Sequence, residues 1–394
     1  MAEEQKQIKI GIPRETFPSE NRVATVPDVA GHFIKDGLEV MLESGAGEAA
    51  GFPDSAYTSK GAKAVSSRQD IFGSADIVLQ VRSVGSNPDE GKSDMGLMRN
   101  GQVVIGHFDP LSNPTIVSEI AKTGATAFGM ELIPRITRAQ GMDALSSMAT
   151  VAGYKAVLLA ANHSKKMFPL LMTASGTVSP AHVFVIGAGV AGLQAIATAR
   201  RLGAVVKAFD VRPAVKEQVE SLGAKFVELE LQAREAEGEG GYAKAMGEEF
   251  YRRQQELMAS VVEESDIVVT TAAVPGKKAP VLIGEDVVKK MRPGSVIVDL
   301  AAERGGNCAV TKAGETVESN GVRVLGPVNL PSTIPYHASQ MYARNLLALV
   351  RHLIKNGGLE PNLEDEIIRD SILTNKGTVV NSQVNELLNS TQAG

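Results

Sequence analysis

The stretch His182-Val-Phe-Val-Ile-Gly187-Ala-Gly189-Val-Ala-Gly192-Leu-Gln-Ala-Ile-Ala197 decides how this chain is read. An apolar, β-rich run enters a Gly-x-Gly-x-x-Gly turn, and the turn opens an Ala-rich helix. Gly187 allows the tight strand-to-helix turn, Gly189 lets a pyrophosphate approach the backbone, and Gly192 lets the helix pack closely on the strand. The N–H groups of the turn, through Val190 and Ala191, stand at the positive end of the helix dipole, where an anion is stabilised. A second strand, Ala204-Val-Val-Lys-Ala-Phe209, ends in Asp210, 23 positions after Gly187. An acid there accepts the ribose hydroxyls of an adenosine and repels a 2′-phosphate, so the spacing predicts NAD(H) rather than NADP(H). Val211 and Arg212 follow directly and complete the expected binding edge. A glycine turn alone also occurs in α/β proteins that bind nothing; strand, helix, second strand and acid together carry the argument.

The chain has 394 residues, enough for two domains, and its 43% hydrophobic and 22% charged residues describe a globular protein. The longest apolar runs are strand-sized, so no segment is expected to cross a bilayer. Met1-Ala-Glu-Glu-Gln-Lys is polar and runs straight into a strand, so no signal peptide is expected. The single cysteine, Cys308, excludes internal disulfides, fits a reducing cytoplasm, and reads as an inert small residue. A net charge of −5 without a basic tract argues against nucleic acid as a partner. Six histidines without clustered Cys/His spacing give no reason to expect a metal.

Outward from the fingerprint, strands and helices alternate. The N-terminal third gives strands at Ile8–Ile12, Leu38–Leu42, Ala75–Val81, Gln102–Gly106 and Ala125–Leu132, with helices at Val26–Asp36 and Asn113–Thr123. After the fingerprint come strands at Asp266–Thr271, Ser295–Leu300 and Val322–Gly326. The pattern predicts an α/β protein of two Rossmann-like domains, each a doubly wound parallel sheet. Residues 1–145 with 334–394 form one and 146–333 the nucleotide-binding other. Long helices at Ser146–Asn162 and Ser339–Lys355 join them, with a cleft between, at the carboxyl ends of the strands. Residues 228–258 are charged and broken by Glu237-Gly-Glu-Gly-Gly-Tyr242, which reads as a mobile loop or a surface insertion.

Two groups of residues suit the cleft rim. Arg135, Gln140 and Asp143 stand in a dense polar stretch that runs to Ser146 between a strand and a helix, and together they could hold a carboxamide or a nicotinamide ring. Asp143 or Ser146 equally suits a helix N-cap, and the residues alone leave cap and site open. Ala272-Ala273-Val274-Pro275-Gly276 and Gly326-Pro-Val-Asn329-Leu330 follow strands of the second domain and would line the nicotinamide half; they also suit ordinary turns. A dehydrogenase of amino or hydroxy acids needs an acid/base and a carboxylate clamp. His107 and His182 are the histidines near strand ends, neither with an evident orienting partner, and His182 starts its strand rather than ending it. Hydride exchange between two nicotinamides needs no such group; proximity and orientation suffice.

Taken together, Gly11-Ile-Pro-Arg-Glu15 with Arg22-Val-Ala, Pro134-Arg-Ile-Thr-Arg-Ala-Gln-Gly-Met-Asp-Ala-Leu-Ser-Ser147, the fingerprint, Gly240-Gly-Tyr-Ala-Lys244 and Val298-Asp-Leu-Ala-Ala-Glu303 resemble, over essentially the whole chain, the NAD(H)-binding domain I or α subunit of proton-translocating NAD(P) transhydrogenase. The resemblance implies that Arg135, Gln140, Asp143 and Ser146 contact the nicotinamide end, Asp210 the adenosine ribose, and Tyr242 a loop closing over the nucleotide. It implies a homodimer that docks on an NADP(H)-binding partner domain, with membrane subunits carrying protons. NADP(H) then sits on the partner, and this chain lies on the cytoplasmic or matrix-equivalent face. Alanine dehydrogenase is similar in the same N-terminal motif and fingerprint. That enzyme uses a lysine and a histidine where this chain, aligned by eye, has Arg82 and Asp109, which favours the transhydrogenase reading.

Overall fold

The computed structural model describes residues 7–228, 248–273, 278–355 and 359–392. In chain order the strands are β1 (Lys9–Ile12), β2 (Glu39–Glu43), β3 (Lys63–Val65), β4 (Ile77–Arg82), β5 (Val103–His107) and β6 (Thr126–Gly129). They continue with β7 (Leu171–Thr173), β8 (Gly176–Val178), β9 (His182–Ile186), β10 (Val205–Phe209), β11 (Lys225–Phe226) and β12 (Ile267–Thr270). The last are β13 (Val296–Asp299), β14 (Thr316–Ser319), β15 (Val322–Leu325), β16 (Ile372–Asn375) and β17 (Thr378–Val379). Three helices matter most: α1 (Ala144–His163), α2 (Val190–Arg201) and α3 (Pro335–Lys355).

The chain divides into two compact units, Met1–Met148 with Pro331–Gly394, and Ala149–Leu330. The first holds an eight-stranded sheet in the order β17-β16-β6-β5-β4-β1-β2-β3. Its β6-to-β3 run is parallel, and β16 and β17 add antiparallel pairings at one edge. The second holds a seven-stranded sheet in the order β11-β10-β9-β12-β13-β15-β14, parallel except for β14. Strands covered on both faces are largely apolar: every residue of β12 and β13 is buried, and only Thr270 and Asp299 at their carboxyl ends are polar. Successive residues serve opposite faces. Val183, Val185, Ile267 and Val269 join Ala156, Val157, Ala160, Ala195 and Ile196 of α1 and α2 on one side. Phe184, Ile186 and Val268 meet Met258, Val261 and Val262 on the other.

The order in which strands are added reverses between β1 and β4 in the first unit and between β9 and β12 in the second, the neighbouring strands staying parallel. The crevice outside the carboxyl ends at such a reversal is where open α/β sheets take ligands.

Two expectations need correction. Residues 248–258 are not loop: they begin a helix, Glu248–Glu264. Its buried Met258, Val261 and Val262 recur at helical spacing, a signal hidden by the charged run before it. Residues 229–247, with Tyr242, lie outside the described residues. Second, α1 is by length and composition apolar enough to cross a membrane, although its apolar residues are interspersed with Ser, Thr, Gly and Lys and form no single run. Ala156, Val157 and Ala160 are buried in the second unit's core, and a Cβ on Gly153 would lie 2.1 Å from Ala191 O, so α1 packs tightly on the start of α2.

Candidate functional site

At the β9–α2 turn, Gly187 adopts φ +97°, donates its N–H to Phe209 O at 2.8 Å, and would place a Cβ 2.4 Å from Thr271 Oγ1. A Cβ on Gly192 would lie 1.8 Å from Gly187 O. The fold itself demands these two glycines. Gly189 is different: at φ −74°, a Cβ there would meet nothing within 4 Å. The space over Gly189 is open, and no side chain caps the start of α2, where Val190 is exposed. An anionic group fits this cradle, with the first amides of the helix as donors.

Asp210, 8% exposed, lies beside the turn and accepts a hydrogen bond from Ala188 N (2.7 Å). Arg212 donates to it from its backbone N–H (2.9 Å) and in a fork from Nε and Nη2, both at 3.0 Å. Burial acts to raise the Asp210 pKa, but the Arg212 guanidinium and the two amides outweigh it and hold the carboxyl below its usual range. Asp210 is thus an anion, held by Arg212 and two backbone amides. Val211 is exposed.

On the neighbouring strand end, Thr271 bonds the turn through N–H to Ile186 O (2.9 Å) and Oγ1 to Gly187 O (3.0 Å). Ala273 is exposed; Val274, Pro275 and Gly276 lie outside the described residues. Asn329 adopts φ +49° and donates its N–H to Glu303 Oε1 at 2.6 Å. Leu330 is packed in the core. Cys308 is buried, and burial pushes its thiol up to about 11, so the reactive thiolate is scarce.

The Arg135 group belongs to the first unit. Asp143 precedes α1 and accepts Ser146 N (2.8 Å) on Oδ1 and Ser146 Oγ (2.6 Å) on Oδ2. The helix cap is therefore realised, by Asp143, and Ser146 is its partner. Arg135 and Gln140 are exposed on the same segment.

The first sheet's reversal carries a polar cluster that sequence reading did not assemble. Glu15 accepts Val81 N (2.6 Å) and Arg82 N (3.0 Å) at the end of β4. Its burial, then the charge of Glu20, push its pKa up to about 7 against the pull of those amides. Glu20 clamps buried Arg22 through Nε (2.7 Å) and Nη2 (2.6 Å) and also meets Arg82 Nε at 3.1 Å. Arg82 lies 4.3 Å over the Phe17 ring. His107 does have a carboxylate neighbour, contrary to expectation. Its Nδ1 is 3.7 Å from Glu131 Oε2, and its ring stacks on Tyr342. Glu131 comes from the turn after the adjacent strand, a tertiary neighbour that no local motif announces.

Comparison with known proteins follows the same division. Residues 11–152 match the alanine dehydrogenase/PNT N-terminal domain family, and residues 156–382 the alanine dehydrogenase/PNT C-terminal domain family. The chain belongs to the alanine dehydrogenase/PNT family. Within it, similarity is unequal. The chain is 47% identical over 376 residues to an NAD(P) transhydrogenase subunit alpha polypeptide of Rhodospirillum rubrum, covering 95% of this chain and 98% of that one. The crystal structure of transhydrogenase from Sinorhizobium meliloti superposes with a TM-score of 0.85 at 43% identity, covering 94% of this chain and 100% of that one. Alanine dehydrogenase of Bacillus subtilis is 26% identical over 378 residues, 94% of this chain and 92% of that one. The shared family accounts for two parallel-dominated sheets; the higher identity lies on the transhydrogenase side.

Proposed function

We propose that this chain is the NAD(H)-binding component of a proton-translocating NAD(P) transhydrogenase. In this reading, hydride passes directly between NAD(H) held here and NADP(H) held on a partner domain, and a membrane component couples the transfer to proton movement. The observation that carries the nucleotide assignment is Gly189: two fingerprint glycines answer steric demands of the fold, and this one leaves open space before an uncapped helix start. A bound dihydronicotinamide supplies the hydride. The chain's role is to hold the pyrophosphate on α2, to take the ribose on Asp210, and to orient the ring through Arg135, Gln140, Asp143 and Ser146. Val190, Ala191, Val211, Arg212, Asn329 and Leu330 then belong to three nucleotide-lining segments, with Ala273 at the nicotinamide half; Val274, Pro275, Gly276 and Tyr242, expected from the sequence to meet the nucleotide, lie outside the described residues. The names of the Rhodospirillum and Sinorhizobium relatives support this reading.

Alanine dehydrogenase chemistry is the weaker alternative. Where that enzyme's lysine would stand, Arg82 is committed to Glu20 and Phe17; Asp109, where its histidine would stand, is held at φ +48°. We also propose a homodimer. Met167, Leu170, Met172 and Val178 are exposed on and beside the β7–β8 hairpin, an apolar surface a second copy would cover. The chain would then work at the cytoplasmic or matrix-equivalent face of a membrane complex.

The test mixes the protein with an NADP(H)-binding transhydrogenase domain and follows single-turnover transfer from NADH to an NADP⁺ analogue. Transfer is expected, and Gln140→Asn should slow it by about tenfold or more while NADH affinity changes little, because an error of about 1 Å in near-attack geometry costs on the order of a hundredfold. Robust NAD⁺ reduction with alanine as sole substrate, and no transfer, would overturn the assignment.

A further inference from the structure

The last residue of β13, Asp299, is a fully buried carboxylate with five donors. Asp299 Oδ1 accepts Thr270 Oγ1 (2.9 Å) and Ala301 N (3.0 Å). Its Oδ2 accepts Asn307 N (2.7 Å), Cys308 N (3.0 Å) and Thr311 Oγ1 (2.7 Å). Gly305 and Gly306, both at positive φ, turn the chain back onto it, and a Cβ on Gly306 would lie 2.8 Å from Asp299 Oδ2. This anchor fixes Asn307, itself fully buried. Asn307 Nδ2 donates to Ala272 O (2.7 Å) and Pro280 O (2.9 Å), and its Oδ1 accepts Ala272 N (3.0 Å). Its carbonyl accepts Leu282 N and Ile283 N at 2.7 and 3.0 Å. One side chain therefore grips both stems of the segment that leaves β12, the incoming stem at Ala272 and the outgoing stem at Pro280. Thr271, next along, is bonded to Gly187 of the nucleotide turn.

The chemistry is specific to an amide. Two carbonyls need two donors, and one N–H needs an acceptor; an asparagine supplies all three from one planar group. Aspartate has the same shape but sets an anion against two carbonyl oxygens. The gripped stem stands at the carboxyl end of β12, one of the two strands flanking the sheet reversal, whereas Asp210 ends β10 on the other flank. A dinucleotide laid across the reversal puts its adenosine toward β10 and its nicotinamide half toward β12. We infer that Asn307 is a positioning residue for the nicotinamide half of the nucleotide, acting through the stems at Ala272 and Pro280. The inference rests on the NAD(H) reading above.

The experiment compares NADH with 5′-AMP, which carries only the adenosine half, by calorimetry on the full chain. In Asn307→Asp, NADH affinity should fall by about tenfold or more, the size of a lost buried hydrogen-bond set, while AMP affinity stays within about twofold. Asn307→Ser keeps a donor for one stem only and should show the same split, reduced; thermal melts establish that each variant folds. If NADH and AMP affinities fall together, the residue merely supports the fold and the inference is overturned. Unchanged NADH affinity in both variants overturns it too. If the unmodified protein binds neither ligand, the NAD(H) reading falls and takes the inference with it.

Discussion

At the scale of single residues, two carboxylates of opposite character organise the expectations. Asp210 is held ionised by Arg212 and by amides; in the proposed reading it offers acceptors to a ribose and repels a 2′-phosphate. Asp210→Ala should narrow the preference for NADH over NADPH by about tenfold or more, and calorimetry with both ligands reads it; equal affinity in the unmodified protein would remove Asp210 as the discriminator. Glu15 is the reverse case. Burial favours its neutral form, with a pKa of about 7 in the fold against 4.5 for the open chain. The folded protein therefore binds the proton more tightly. The stability this gives is fully present below about 4.5 and is lost as pH rises through about 7, by up to about 3 kcal/mol. Glu15→Gln abolishes that titration, so urea denaturation should show the variant gaining about 2 kcal/mol relative to the parent between pH 5 and pH 8. Parallel losses in both proteins would show that Glu15 is not the titrating group.

Among elements, the β9–α2 turn separates structural from functional glycines. Gly192→Ala places a methyl within 1.8 Å of Gly187 O and should destabilise the protein by about 3 kcal/mol or more, visible as a lower thermal midpoint. Gly189→Ala meets open space and should melt within a few degrees of the parent, yet lose NADH binding. A Gly189→Ala protein that binds NADH normally would deny the cradle its ligand. The hairpin makes a separate prediction: Met172 is 81% exposed, and Met172→Lys should shift sedimentation from dimer to monomer without lowering the helix content. The same elements show what is legible in sequence. Strands covered on both faces, such as β12 and β13, advertise themselves by the apolar runs Ile267-Val-Val269 and Val296-Ile-Val298. β3, read as Lys-Ala-Val with exposed residues, and the solvent-facing hairpin carry no such signal and went unread. The glycine turn was legible because its steric needs are local. Asn307 was not, because its partners Ala272 and Pro280 lie 35 and 27 residues away and no motif connects them. For Asp143 the sequence left cap and site open, and only the bonds to Ser146 show that the cap is made.

At the scale of the whole molecule, the two sheets answer different questions. The second unit is one uninterrupted stretch of chain, whereas the first is assembled from both ends of the sequence, with β16 laid antiparallel on β6 across about 245 intervening residues. A ribosome delivers these pieces in order. When β6 emerges, its outer edge has exposed N–H and C=O groups and no neighbour, and that edge stays bare while the entire nucleotide-binding unit is made. The middle of the protein is therefore free to mature first, and the N-terminal sheet stays open to wrong pairings until the C-terminal strands arrive to close it. The long separation that makes the first unit slow to complete also couples its integrity to β16 and β17, which emerge only after the whole second unit, so a chain released before them would carry a complete second sheet and an incomplete first one.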